Sequence, residues 1–430
     1  TQITGTVAPA FGLPDWTLAV YMAADNSLSG QALLDLNEME AASANPDVNV
    51  VVLYDGSGNG DSLIYTIVHD NDSAVVSSTV IADAGAVVDS ASHEAAMNDP
   101  ETLSKFLDWT WEKYPAQNFG VVLWDHGNDV LGGLCVDGGR WLGTAEACAS
   151  MNGFANGSGK IIDLVGLDLC WGASLEMAAE LVGSARVFVA SELEEPDTGW
   201  EYSSVVGRLA GNPNAGPEEF GKSIVGAYAD HYSWVGYGSM GAFSLPLIDV
   251  AAKSWDELAN VLTAYAYYEY GAILSARNAT SGIWSSKPDL IDVSSFCYEL
   301  LGSGITEIAR LKAVNLRDGL VDATLANFSG YAAGGAKGLY AYHPTAGGYD
   351  AGYADFDAAA EWRAYLAELE NPSPRAWGAA GETPQALNTT GPYTFEAWLT
   401  EPDGANVTLC YTDEGTWTSC EMSHLGGGRF

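Results

Sequence analysis

An α/β fold, with a largely parallel central sheet and helices on both faces, is what this sequence predicts, and three observations carry that reading. Strand-like apolar runs alternate with helical patterns over the first 345 residues. Chains ordered in that way bury a parallel sheet between two helical layers. The runs also stop abruptly, as "VVLW" does at Asp125, His126 and Gly127. Finally, 47% hydrophobic and 11% aromatic residues describe a packed globular protein rather than a disordered one.

Taken in order, the first strands are "WTLAVYMAAD", "VNVVVLYDGS", "DSLIYTIVHD" and "AVVSSTVIAD". A helix follows in "DPETLSKFLDWTWEKY", with Asp99 as N-cap and Pro100 in the first helical position. The strands "FGVVLWD", "IIDLVGLDLC" and "ARVFVASE" come next, interleaved with the helices "SLEMAAELVG" and "GPEEFGKSIVGAYADHY". Between "DHG" and "DLC" lies a glycine-rich stretch, residues 128–160, whose length predicts a mobile functional loop. A short helix is expected near Trp362, then the breaker run "NPSPRAWGAAGETP", then strands over the last residues. The predicted division is a lead segment over 1–14, one large domain over 15–370 and a small C-terminal β appendage over 371–430. The ending "GGGRF" reads as the interior of a longer native chain.

At 430 residues the chain exceeds the size at which single cores stop growing, roughly 250 to 300 residues, which fits one large domain with an appendage. With 17 Lys and Arg against 56 Asp and Glu, the net charge of −39 repels nucleic acid and anionic membranes. A solvated acidic surface accounts for that charge, and a field drawing in cationic substrates is compatible with it. No apolar run reaches the length of a spanning helix, and "TQITGTVAPA" lacks the features of a signal peptide, which predicts a trimmed, mature soluble form. Of the six cysteines, Cys135 with Cys148 and Cys410 with Cys420 are spaced to close local loops, as an oxidising compartment would allow.

Ligands bind parallel sheets outside the carboxyl ends of the strands, so "DHG" and "DLC" share one rim. Cys170 stands where a strand turns into a helix expected near Ala173, an address that lowers a thiol's pKa. His126 can protonate a leaving group, and Gly127 lets backbone approach a substrate closely and offer an amide to an oxyanion. Taken alone, a cysteine is most often a small buried hydrophobe and a histidine a hydrogen-bonded core residue. His343, at the end of "GLYAYHP", is the rival histidine, while His69, His93, His231 and His424 read as structural. Asp125 is adjacent to His126 and points to the opposite face of the strand, which favours a dyad over a triad.

The order "WTLAVYMAADNSL", "LLDLNEME", "DPETLSKFLDWTWEKYP", "VVLWDHG", "GLDLCWGASLEMAAEL", "ASELEEPDTGW" and "GLYAYHP" resembles the clostripain family of cysteine peptidases, in the caspase-like clan, from about residue 16 to about residue 366. The resemblance implies a caspase-like three-layer sandwich, with Cys170 as nucleophile, His126 as catalytic histidine, and Gly127 with the Cys170 amide as oxyanion donors. It implies a secreted or cell-surface endopeptidase cutting protein or peptide substrates after exposed Arg or Lys, with Asp168 in the specificity pocket and Asp197 as its second acid. Glu192, Glu194 and Glu195 read as loop charges. Relatives are activated by self-cleavage between the catalytic residues, where Arg140 and Lys160 are the two basic residues; Arg140, with glycines beside it, is the expected processing site. A monomer is expected.

Trp171 departs from the smaller aliphatic residue expected after the nucleophile, and packing between helix and sheet explains it as readily as a reshaped cleft. No cofactor is required by this reading. The acidic loops "HDNDS" and "DGSGNGDS" are compatible with calcium, which the resemblance permits, but fit no complete calcium-loop pattern. Zinc is excluded by the lack of paired His ligands. The alternative from another class is a peptidase-like scaffold that serves as a binding or adhesion module through its β appendage.

Overall fold

The computed structural model describes residues 12–82, 85, 87–280, 286–331, 333, 336–345, 349–370 and 372, and the backbone of two strands, Thr408–Asp413 and Thr416–Glu421. In chain order the strands before that pair are β1 (Trp16–Ala23), β2 (Val48–Asp55), β3 (Leu63–Thr66), β4 (Thr79–Val80), β5 (Asn118–Trp124), β6 (Leu134–Asp137), β7 (Arg140–Leu142), β8 (Ile162–Asp168), β9 (Ala185–Ala190), β10 (Ser239–Ser244), β11 (Leu290–Asp292), β12 (Thr324–Ser329) and β13 (Tyr340–Tyr342). The helices are α1 (Ser29–Ala42), α2 (Pro100–Lys113), α3 (Asp129–Gly132), α4 (Thr144–Ser158), α5 (Leu175–Glu180), α6 (Tyr202–Gly211), α7 (Pro217–Tyr232), α8 (Leu245–Thr280), α9 (Val293–Gly302), α10 (Glu307–Ala323) and α11 (Ala360–Glu370).

Nine strands form one sheet in the order β12-β10-β9-β8-β5-β1-β2-β3-β4. Its centre, β9-β8-β5-β1-β2, is parallel throughout, and antiparallel strands close both edges. Side chains of successive residues in a strand point to opposite faces, so each central strand feeds two cores. In β1, Trp16, Leu18, Val20 and Met22 pack with Leu36 of α1, Val205 of α6 and Ile224 of α7. Ala19, Tyr21 and Ala23 pack on the other face with Phe106 of α2, Phe154 of α4 and the helices from α8 onward. This is the three-layer arrangement expected, and it explains why "VVLW" is apolar at every position.

Chain order sets the functional edge. From β1 the chain adds β2 on one side and later β5 on the other, so their connections diverge and leave a crevice at the carboxyl ends of β1 and β5. The expected helix is α2, whose Asp99 side chain accepts from the Glu101 N–H with Pro100 behind it. The strand expected in "AVVSSTVIAD" shrinks to the two residues of β4, at the sheet edge.

Residues 128–160 are not the mobile loop their glycines suggest. They hold α3, the β6–β7 hairpin and the fifteen-residue α4. Gly138 and Gly139, at φ of 54° and 76°, make the two-residue turn of the hairpin, and Gly159 ends α4 in the left-handed conformation. Between them the small residues include several alanines, strong helix formers once packing holds them. Cys135 and Cys148 are separate buried thiols rather than a bridge, since one lies in β6 and the other in α4. The side chains of Cys410 and Cys420, and the strand expected in "GPYTFEAWL", lie outside the described residues.

Candidate active site

The site begins where β5 ends. Asp125 turns inward and accepts from Asn26 Nδ2 at 2.7 Å and from the Val136 N–H, tying β6 to the strand end. His126 stays partly exposed, with Nε2 2.9 Å from Ser27 Oγ in the turn after β1. That contact leaves Nδ1 for chemistry. The Cys135 N–H donates to His126 O (3.2 Å) and the Asn128 N–H to Gly133 O (3.0 Å), bracketing Gly127 and keeping its own N–H out of the ladder. A Cβ on Gly127 would stand 2.0 Å from the carbonyl oxygen of Cys170, so glycine is what lets the two strand ends meet. Lys287 Nζ pins the loop from outside, 2.7 Å from both Asn128 Oδ1 and Asp129 Oδ2.

Cys170 ends the neighbouring strand. The next residue, Trp171, has φ of 57°, donates its N–H to Leu193 O and accepts from Tyr340 Oη. Its ring is buried in the core, so packing, not a narrowed cleft, explains this tryptophan. The helix expected near Ala173 starts only at Leu175, capped by Ser174, and spans six residues. Its dipole is therefore a full turn too far away to act on Cys170. Burial instead pushes the thiol up to about 12, against the opposing effect of the Glu195 N–H, which donates to Sγ at 3.3 Å. Burial also lowers His126, opposed by nearby Asp197. The expectation of a depressed thiol is thus corrected: both groups are neutral in this state, because the segment carrying Glu195 covers the sulfur.

His126, Asp168, Cys170, Glu195 and Asp197 line one cleft of about 30 Å³, room for roughly one water. Asp168, 3% exposed, accepts from the Trp200 N–H at 3.0 Å and Tyr202 Oη at 2.8 Å, and burial pushes it up to about 7. Behind it Asp35 accepts from Trp124 Nε1 and Gln31 Nε2, both at 2.8 Å; burial first, then Asp168, pushes it up to about 8. Asp197 is exposed at the rim. Glu195 is 8% exposed, with neither carboxylate oxygen in a hydrogen bond. Its local sequence hides this, because an acid within "ELEEPD" looks solvated and only tertiary burial distinguishes it.

The rival histidine is elsewhere. His343 is fully buried, with Nε2 2.9 Å from Tyr365 Oη and rings of Phe296 and Trp362 around it; burial, then Arg277, pushes it down to about 3. Arg140 is exposed on β7, paired with Asp137 across the glycine turn, so its glycines fold the chain back instead of extending it. Asp55, Asp61 and Glu94 bring carboxylate oxygens within 4.8 Å of one another, in and beside "DGSGNGDS". Their oxygens suit a hard cation, but three carboxylates that also accept from Ser62 Oγ and the Gly58 and Gly60 amides fall short of the six to eight oxygens calcium takes. "HDNDS" does not join them.

Burial raises five acids together: Asp35 and Asp125 to about 8, and Asp55, Asp168 and Glu176 to about 7. A raised folded pKa means that the folded state binds more protons than the unfolded one, so stability falls as pH rises from about 4 to about 8. Melting temperature is expected to drop over that window even in ~1 M salt, which screens surface repulsion. A flat profile at high salt would show that these acids are not buried as described.

The clostripain family model matches residues 20–289 of the chain. The chain belongs to the clostripain family. Clostripain of Hathewaya histolytica is 25% identical over 222 residues, which cover 45% of this chain and 42% of that relative, so less than half of its length is spanned. Two solved structures share the fold. A secreted C11 cysteine protease from Bacteroides thetaiotaomicron, in complex with an irreversible peptide inhibitor, superposes with a TM-score of 0.61 at 20% identity, over 83% of this chain and 99% of that one. An inactive zymogen C11 protease from Parabacteroides distasonis gives 0.60 at 16% identity, over 81% and 98%. The family expected from the motif order is the family found, with its α/β caspase-like architecture.

Proposed function

We propose that this chain is a secreted cysteine endopeptidase that cleaves after Arg or Lys. The observation that carries the reading is the convergence of Cys170, His126 and Gly127 on one cleft at the carboxyl edge of the sheet, backed by buried acids. Substrate entry displaces the segment that covers the sulfur. Cys170 Sγ then attacks the carbonyl carbon while its proton passes to His126, whose Nδ1 is not held by Ser27. The Gly127 and Cys170 amides hold the oxyanion. The protonated imidazole gives its proton to the departing amine, and water, deprotonated by the same ring, releases the acid from the thioester. No metal enters these steps; Asp55, Asp61 and Glu94 are the residues that would contribute to holding a calcium ion, remote in sequence from the dyad.

Processing after Arg140 belongs to the same reading, and it requires β7 to peel away from β6 so that the Arg140–Trp141 bond can extend. The test is a matched peptide series with Arg, Lys, Asp or Ala before the scissile bond, run with and without calcium, with N-terminal sequencing of the incubated enzyme. Cleavage after Arg and Lys, and a new terminus at Trp141, are expected. Preference for Asp or Ala would remove the basic specificity while leaving the peptidase, and no hydrolysis by a folded sample would favour the binding scaffold.

A further inference from the structure

The cleft contains an electrostatic anomaly that the catalytic steps do not use. Asp35, Asp168 and Glu195 are buried together, yet among the described residues no Lys, Arg or His forms an ion pair with any of them. Asp35 and Asp168 are compensated by hydrogen bonds from Trp124, Gln31, Trp200 and Tyr202. Glu195 is not: both of its oxygens are buried and without a hydrogen-bond partner, and burial followed by repulsion from Asp168 holds its pKa well above the usual carboxylate range. A buried acceptor left unpaired costs free energy, and its persistence calls for a partner that arrives from outside.

Its place says what that partner is. The backbone of Glu195 touches the nucleophile, its N–H 3.3 Å and its carbonyl oxygen 3.7 Å from Cys170 Sγ, while its side chain lines the same cleft as Asp168. The geometry points to Glu195, not the exposed Asp197, as the second carboxylate that with Asp168 receives the cationic side chain before the scissile bond. This rests on the peptidase reading above and deepens it by assigning the residue that selects the substrate. A guanidinium offers paired N–H groups to two carboxylates, and an ammonium offers three donors to the same acceptors. Asp168 already spends acceptor capacity on Trp200 and Tyr202, so Glu195 supplies the unspent oxygens. Because the cleft holds only about one water, the Glu195 segment moves outward as the cation enters, and the same motion uncovers Sγ.

The test uses the full chain carrying Cys170→Ala, which removes catalysis from the readout, with 4-aminobenzamidine as cationic probe and 4-aminobenzamide as its neutral counterpart. The amidine is expected to bind and the amide to bind at least about tenfold more weakly. Adding Glu195→Gln is expected to weaken the amidine by at least about tenfold, Glu195→Asp by less, and Asp197→Asn by under about threefold. Glu195→Asp keeps the charge, so it guards against a Gln variant that fails to fold. If Glu195→Gln binds as the parent does while the native enzyme cleaves after Arg, Glu195 is not the selecting acid, though the function stands. If neither probe binds and cleavage follows another residue, the basic specificity falls together with this assignment.

Discussion

Replacing Cys170 with alanine is expected to lower kcat/KM on an Arg peptide by a factor of about 10⁴ or more, the scale at which nucleophile removal leaves only binding and oxyanion contributions. The other described thiols cannot substitute, because Cys135, Cys148 and Cys297 are wholly buried. His126→Ala should cost nearly as much. In the closed state the thiol and the imidazole are both neutral, so Cys170 depends on His126 to take its proton and the amine depends on His126 to receive one. The double variant should therefore be little worse than either single one, since the two residues act as a unit. Peptide kinetics together with the stoichiometry of thiol alkylation measure this. Hydrolysis surviving in Cys170→Ala would mean that the nucleophile lies elsewhere.

Gly127→Ala is expected to reduce kcat by about 10² to 10³ with a much smaller change in KM, although it removes no functional group. The new Cβ would lie 2.0 Å from Cys170 O and 2.6 Å from Leu169 Cδ1. Leucine can rotate away; a backbone carbonyl at the end of a buried strand cannot. Either the histidine loop lifts or the cysteine turn shifts, and the oxyanion donors separate by something near 1 Å, a displacement that costs about a hundredfold. Far-UV circular dichroism should remain native, because the clash is confined to two strand ends. Activity within about threefold of native would show that the Gly127 amide does not face the oxyanion.

How much of this was legible can be followed residue by residue. Strands such as β5 and β8 could be read because a two-sided buried strand is a local apolar run, and α2 because its cap and N1 proline are adjacent residues. The region 128–160 was misread because glycine counts do not distinguish a hairpin turn and a helix cap from a flexible loop; the difference lies in φ at Gly138, Gly139 and Gly159. The thiol's environment was misread for a similar reason. Its helix was expected nearer, and nothing around Cys170 announces that residue 195 will cover it.

By itself the sequence determined the alternating layers, the family and the pairing of "DHG" with "DLC" at strand ends, since these follow from short-range patterning and chain order. Tertiary structure alone decided that His126 opens to the cleft while His343 is sealed among Phe296, Trp362 and Tyr365, and that Glu195 is buried while Asp197 stands at the rim. Both pairs look alike in sequence. What separates them is which distant segments pack over each side chain, and desolvation, the largest influence on the shifted groups of this site, exists only after that packing is complete.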